Sequence, residues 1–333
     1  MSGDLPCRTD ATFSFELYPP RSAAAEANLF AAIDRLTALG PEFISVTYRA
    51  TGADRAASLE VLDKLIREHR VSAMAHLTCV GSSFDEASRV IRQFLDAGVT
   101  SFLALRGDPP EGAQEGDDFL GDFRSAAELV QLIHNVQAER SPFRLGAVPG
   151  FPSAKRLRSG EKVTIAVATF PNGHPRSRSR SQDIDTLLAK EAAGANLAIT
   201  QLFFHADEYL GFVEEARAAG VTMRILPGIM PVLSVPRLRR MLELSGESMP
   251  VELLAALEAA PDAAAASRLG IEACIRLAND LLDGGASGIH LYTFNSADAP
   301  TEVLTGAGLL DASGRPTSAA LPSAQSTPTE GPR

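Results

Sequence analysis

The chain has no uninterrupted apolar run of the roughly 18 residues that a membrane-crossing helix needs, so no membrane-spanning helix is expected. Its opening residues, MSGDLPCRTD, carry neither a basic region nor an apolar core of the kind a secretory signal requires. Cysteine is scarce: Cys7, Cys79 and Cys274 stand at unrelated spacings and give neither a disulfide framework nor a zinc motif. These absences predict a cytoplasmic protein with no bound metal. Positive charge is also short. The formal net charge is −10, which argues against general nucleic-acid binding. Two local basic clusters, KRLRSGEK (155–162) and RSRSRS (176–181), read either as solvated loops or as contacts to an anionic small ligand.

Several chemistries are missing as well. A Schiff-base aldolase needs a lysine at a strand end, yet Lys64, Lys155, Lys162 and Lys190 all fall in helical or loop contexts. A metal-dependent hydrolase barrel wants His-x-His on its first strand, where Phe13-Ser14-Phe15-Glu16 stands instead. No G-x-S-x-G elbow occurs, and no strand leads into a G-x-G-x-x-G turn.

What is present is an ordinary globular composition, 45% hydrophobic and 22% charged. Apolar runs that read as strands occur at 12–17, 42–48, 72–79, 101–106, 163–170, 196–204, 223–229 and 287–294. Between them, apolar residues recur at helical spacing, as in Ala87, Val90, Ile91, Phe94 and Leu95. Ser83 followed by Glu86 reads as a helix start, and glycines in DAGVTS, EAAGAN and AAGVTM read as helix ends. Eight strands each followed by helix predict an α/β protein built as a single (β/α)8 TIM barrel, with extra helix before the last strand. A doubly wound sheet is the alternative. The barrel would span 1–311, with an insertion at 141–160 rich in Arg, Gly and Pro. The Ser/Pro/Thr-rich stretch 312–333 reads as a disordered tail.

Active sites of such barrels form at the C-terminal strand ends. Polar residues expected there are Glu16, Thr47, Tyr48, Arg49, His76, Thr78, Arg106, Asp108, His174, Gln201, His290 and Tyr292. Glu16 and Asp108 each end an apolar run beside a Pro-Pro pair, and two carboxylates in different environments can divide acid and electrostatic roles. The plainer alternatives are a salt bridge or helix cap for Glu16, a turn for Asp108, a core histidine for His76 and a buried hydrogen-bonding amide for Gln201. Tyr48, Phe203 and Phe204 read as core.

The segments FSFELYPPR, ISVTY, AHLTCVG, ALRGDPP, FPNGHP, AITQLFF, PGIMPV and HLYTFN occur in this order between about 12 and 308. Together they closely resemble the bacterial methylenetetrahydrofolate reductase family. The resemblance implies a barrel that reduces 5,10-methylenetetrahydrofolate to 5-methyltetrahydrofolate for methionine synthesis, with electrons from NADH or NADPH passing through bound FAD. It further implies Glu16 as general acid, Asp108 as the carboxylate that stabilises a developing cation, and Gln201 and Tyr292 as substrate contacts. Thr47, His76, Arg106, His174, Asp183 and Lys190 match positions that bind FAD in the family. A homo-oligomer is expected from the resemblance alone.

The flavin surroundings depart from the pattern. Arg49 stands where the family has a glycine, and Thr186, Ala189, Ser125 and Phe170 replace an Asn, a basic residue and two tyrosines. Val235 replaces an aromatic residue near the nicotinamide, and Ser296 replaces an arginine near the folate tail. These departures point to a member that does without FAD, with nicotinamide delivering hydride directly and Arg49 meeting a dinucleotide phosphate or filling flavin space. The conventional FAD enzyme and a non-catalytic folate-binding protein are the alternatives.

Overall fold

A computed structural model describes residues 10–47, 52–109, 119–140, 143–148, 151–156 and 163–317. Its first four β/α units are β1 (Thr12–Leu17) with α1 (Ala23–Ala38), β2 (Phe43–Val46) with α2 (Gly52–Arg67), β3 (Ala73–Thr78) with α3 (Phe84–Asp96), and β4 (Ser101–Leu105) with α4 (Ala126–Arg140). An antiparallel hairpin follows, β5 (Phe143–Val148) and β6 (Phe151–Arg156), where the insertion was expected. The β/α alternation then resumes with β7 (Thr164–Thr169), α5 (Arg180–Ala192), β8 (Leu197–Thr200), α6 (Ala206–Ala218) and β9 (Arg224–Leu226). The remaining elements are β10 (Gly228–Ile229), α7 (Val235–Ser245), α8 (Val251–Glu258), α9 (Ala263–Asp283), β11 (Gly288–Tyr292) and α10 (Asp298–Gly306).

The parallel sheet runs β10-β11-β1-β2-β3-β4-β7-β8-β9. Its two ends, β9 and β10, are one seventh barrel strand interrupted at Pro227, so the chain itself closes the barrel. Proline has no N–H for the ladder; its carbonyl instead accepts from His290 N–H at 2.9 Å. One expected strand, 223–229, is therefore two short ones. The extra helix expected before the last strand is α8 together with α9.

Strand residues two apart share a face, and this parity sorts the barrel. Phe15, Leu17, Ile44, Ala75 and Phe102 pack outward against the helices in the main core. Phe43, Met74, Leu103, Ala166, Leu197, Ile199 and Leu226 fill the interior. At the N-terminal end, Arg224 donates to both carboxylate oxygens of Glu42 at 2.8 Å, to Thr12 and to Ser287, tying together elements distant in sequence. Ser83 caps α3 as predicted, accepting from Glu86 N–H at 3.1 Å.

Residues 311–317 form a turn in which Asp311 Oδ1 accepts from Ser313 and Arg315 N–H, and Thr317 N–H returns to Leu309 O at 3.0 Å. Residues 318–333 lie outside the described residues, as do Cys7, Tyr48, Arg49 and Pro110. Among the described residues, no helix is long and apolar enough to cross a membrane, and no cluster of His, Cys, Asp and Glu is arranged to hold a metal ion.

Candidate active site

A cavity of about 390 Å³ opens at the C-terminal ends of the barrel strands, where Glu16, His76, Asp108, Gln201 and Tyr292 all line it. The ladder explains the grouping. Ser14 pairs with His290 and Glu16 with Tyr292 across the β1–β11 register, so all four side chains share the interior face.

Glu16 is the centre of this group. Its Oε2 lies 3.7 Å from His76 Nε2 and 3.9 Å from His290 Nε2, and its side chain keeps 23% exposure through the open cavity. Both imidazoles are buried, and among the described residues neither Nε2 has a hydrogen-bond partner. His290 is held from behind: its Nδ1 lies 2.8 Å from Ser14 Oγ and its ring stacks on Phe43 at 5.7 Å. Burial pushes the Glu16 carboxyl up, but the close approach of His290 and the charges of His76 and His290 outweigh it, leaving Glu16 below the ordinary glutamate value. Burial holds His76 below 6.5 despite the Glu16 charge. The predicted list placed His290 at a strand end but gave it no role; the residue that braces Glu16 went unassigned.

Tyr292 forms a fixed wall. Its hydroxyl donates to Thr200 O at 2.7 Å, and burial followed by the Glu16 charge raises its pKa well above 10.0. The same spot requires Gly228, since a Cβ there would stand 2.4 Å from Thr200 O and 2.7 Å from Tyr292 Oη. Gln201 directly follows β8, with its backbone N–H on Thr169 O at 2.8 Å and its side-chain oxygen accepting from Leu202 N–H.

Asp108 is exposed on the rim. Gly107 before it adopts φ +83°, and a Cβ would lie 2.4 Å from Val80 Cγ2 and 3.1 Å from Thr78 Cβ. Tight backbone passage at Gly107 thus aims the carboxylate.

The residues matched to flavin positions fall into two places. Thr47 and His76 line the cavity. His174, Asp183 and Lys190 form a second cluster with Arg106. Nearly all are engaged internally. Thr47 Oγ1 donates to Leu17 O (3.1 Å), Lys190 Nζ donates to Ala168 O (2.8 Å), and His174 Nδ1 accepts from Arg176 N–H (3.0 Å). Asp183 accepts from Ser177 Oγ (2.5 Å) and His174 N–H (3.3 Å). Burial pushes Lys190 down to about 8 against the pull of Asp183. Arg106 differs: with Arg176 it faces the Phe119 ring, the guanidinium carbons 5.5 and 5.7 Å from its centroid. Neither guanidinium has an ion-pair partner among the described residues. Burial and the neighbouring Arg176 charge lower the Arg106 pKa. This pair fits a diphosphate. Phe170 packs edge-on to His174 at 4.7 Å.

Comparison with known proteins places the chain in a family. The sequence profile of the family described as methylenetetrahydrofolate reductase matches residues 4–308. The 5,10-methylenetetrahydrofolate reductase of Salmonella typhimurium is 30% identical over 286 residues, 86% of each chain. A probable methylenetetrahydrofolate reductase (NADH) of Oryza sativa is 32% identical over 311 residues, 90% of this chain and 49% of the relative. The chain thus spans about half the length of such plant relatives. Among solved structures, a Clostridium thermocellum protein described as binding two copies of 5-methyl-5,6,7,8-tetrahydrofolic acid has the same fold at TM-score 0.58 and 14% identity, covering 90% of this chain and 94% of that one. By its profile match and its bacterial relatives, the chain belongs to the methylenetetrahydrofolate reductase family.

Proposed function

We propose that this protein reduces 5,10-methylenetetrahydrofolate to 5-methyltetrahydrofolate, taking hydride from NADH or NADPH. The observation that carries the proposal is the Glu16 carboxylate, set between two buried imidazoles in a cavity that Asp108 also lines. In this reading the pterin occupies the cavity, oriented by Gln201 and walled by Tyr292. Glu16 gives a proton to N10 as the bond between N10 and the methylene carbon breaks, the bond electrons staying on nitrogen. The N5-iminium so formed is a cation, and the Asp108 carboxylate stabilises it. Hydride from the nicotinamide adds to the methylene carbon, giving the methyl group and NAD(P)+. One proton and one hydride are consumed, and the charges balance.

Glu16 must hold a proton near neutral pH to do this. In the structure the contact with His290 and the charges of His76 and His290 outweigh burial and hold its carboxyl below the ordinary glutamate value. A substrate that covers the cavity removes water from Glu16 and adds to the burial that pushes its carboxyl up.

FAD, when bound, would supply a hydride relay between nicotinamide and folate. Direct transfer is the reading preferred here, because among the matched flavin positions Thr47, His174, Asp183 and Lys190 are engaged within the protein. Arg106, joined by Arg176, would meet the dinucleotide diphosphate. The conventional FAD enzyme is the second reading, favoured by the retention of those same residues side by side. The test is NADH oxidation on adding methylenetetrahydrofolate, with and without FAD. Turnover by colourless protein without FAD is expected. A requirement for FAD would establish the second reading, and no turnover in either case would leave a folate-binding protein.

A further inference from the structure

We infer that Arg237 binds the carboxylates of the substrate's glutamate tail, an inference that rests on folate as the substrate. The cavity is lined by polar side chains, Glu16, Asp108 and Gln201, and by apolar ones, Met241, Leu244 and Phe294. Helix α7 supplies two of the apolar ones, and positions 237, 241 and 244 recur at i, i+4 and i+7 and so share a face. Leu244 lines the cavity and remains 62% exposed.

Arg237 lies on the same face. Its guanidinium sits 4.8 Å over the Phe294 ring, and the side chain is half-buried. Its neighbours on the helix are neutralised: Arg239 pairs with Glu258 at 3.2 Å and Arg240 with Glu243 at 3.0 Å. Arg237 has no ion-pair partner among the described residues. The guanidinium over the Phe294 ring can meet a carboxylate with two parallel N–H donors. Phe294 is itself fixed by an unusual backbone, with φ +52° there and +58° at Asn295, whose amide ties to the backbone of Tyr18 at 3.0 and 2.8 Å. The cavity thus offers polar and apolar walls, and the Phe294 ring that lines it carries the Arg237 cation. A folate brings a reduced pterin, an aromatic ring and glutamate carboxylates. Ser296 stands where the family resemblance carries an arginine, and Arg237 over Phe294 supplies a cation beside the cavity.

The test compares methylenetetrahydrofolate with the methylenetetrahydropteroate analogue that lacks glutamate. For the unaltered protein KM is expected to be lower with the glutamate-bearing substrate. Arg237→Gln should raise that KM roughly tenfold, the scale of one charge-assisted contact, while kcat and the KM of the analogue stay unchanged. Phe294→Leu, which keeps the arginine and removes its platform, should give a smaller rise of the same kind. An unchanged ratio of the two KM values in Arg237→Gln, or an equal rise for both substrates, would overturn the assignment. If the unaltered protein turns over neither compound, the proposed reaction fails. Calorimetric Kd values for 5-methyltetrahydrofolate and its pteroate analogue then decide the tail contact separately, equal loss or no loss in Arg237→Gln again overturning it.

Discussion

His76 Nε2 stands 3.7 Å from Glu16 Oε2, both at the floor of the cavity and just beyond hydrogen-bond length. With His290 Nε2 at 3.9 Å on another side, the carboxylate is flanked by two donors that no other described group satisfies. A site of this kind can tighten when substrate excludes water, and catalytic hydrogen bonds are often long before ligand binds.

Replacing the carboxylate separates chemistry from binding. Glu16→Gln keeps the shape and removes the transferable proton, so kcat should fall by about 10²–10⁴, the usual worth of a general acid. The Kd for 5-methyltetrahydrofolate should stay within a few-fold. Calorimetry alongside the NADH assay checks both, and loss of binding in parallel with turnover would argue that Glu16 serves structure.

The buried histidine should make stability depend on pH. Burial holds the folded pKa of His76 below the ordinary histidine value of 6.5, so as pH falls through 6.5 the unfolded chain takes up a proton before the folded one does. Stability is thus full above that value and declines below it. His174, also lowered by burial, contributes with the same sign. Melting temperature should drop as the solution is acidified through this range, and His76→Gln should flatten part of the slope. A slope identical in the variant would show that His76 does not carry it.

Asp108 depends on the backbone before it. Gly107→Ala places a methyl group against Val80 and Thr78 at a φ of +83°. The left-handed conformation alone costs about 1–2 kcal/mol, and relief of the clash displaces Asp108. Activity should fall with Glu16 untouched, and a thermal melt together with kcat measures both effects.

Tyr292 offers a more local test. Tyr292→Phe deletes the 2.7 Å hydrogen bond to Thr200 O, at a cost of about 1 kcal/mol, rising toward ~3 kcal/mol if that carbonyl is left dry. Thermal unfolding reads it directly. An unchanged melting temperature would mean that water replaces the hydroxyl.

The barrel was legible because each strand is an apolar run bounded by turn residues, and because Ser83 and the helix-end glycines mark where helices start and stop. Glu16, Asp108 and Gln201 were legible as polar residues at strand ends. The bracing of Glu16 by His290 was harder to see, since those residues meet only when β11 closes on β1. Parity was the available signal: Ser14 and Glu16 are two apart, as are His290 and Tyr292, so the correct register puts all four inside. The segment 223–229 read as one strand, and Pro227, which has no N–H for the ladder, divides it. The turn at 311–317 rests on hydrogen bonds to Asp311 and Leu309, which Ser/Pro composition does not reveal.

The central claim, that hydride passes from nicotinamide to a carbon activated by Glu16, is tested most directly with NADH deuterated at the transferring position of C4. The product methyl group would be analysed by mass spectrometry after turnover without FAD. The account predicts a methyl group carrying one deuterium per molecule formed. A methyl group whose label has been lost to solvent hydrogen would contradict direct transfer, and the absence of any methylated product would contradict the reductase reading itself.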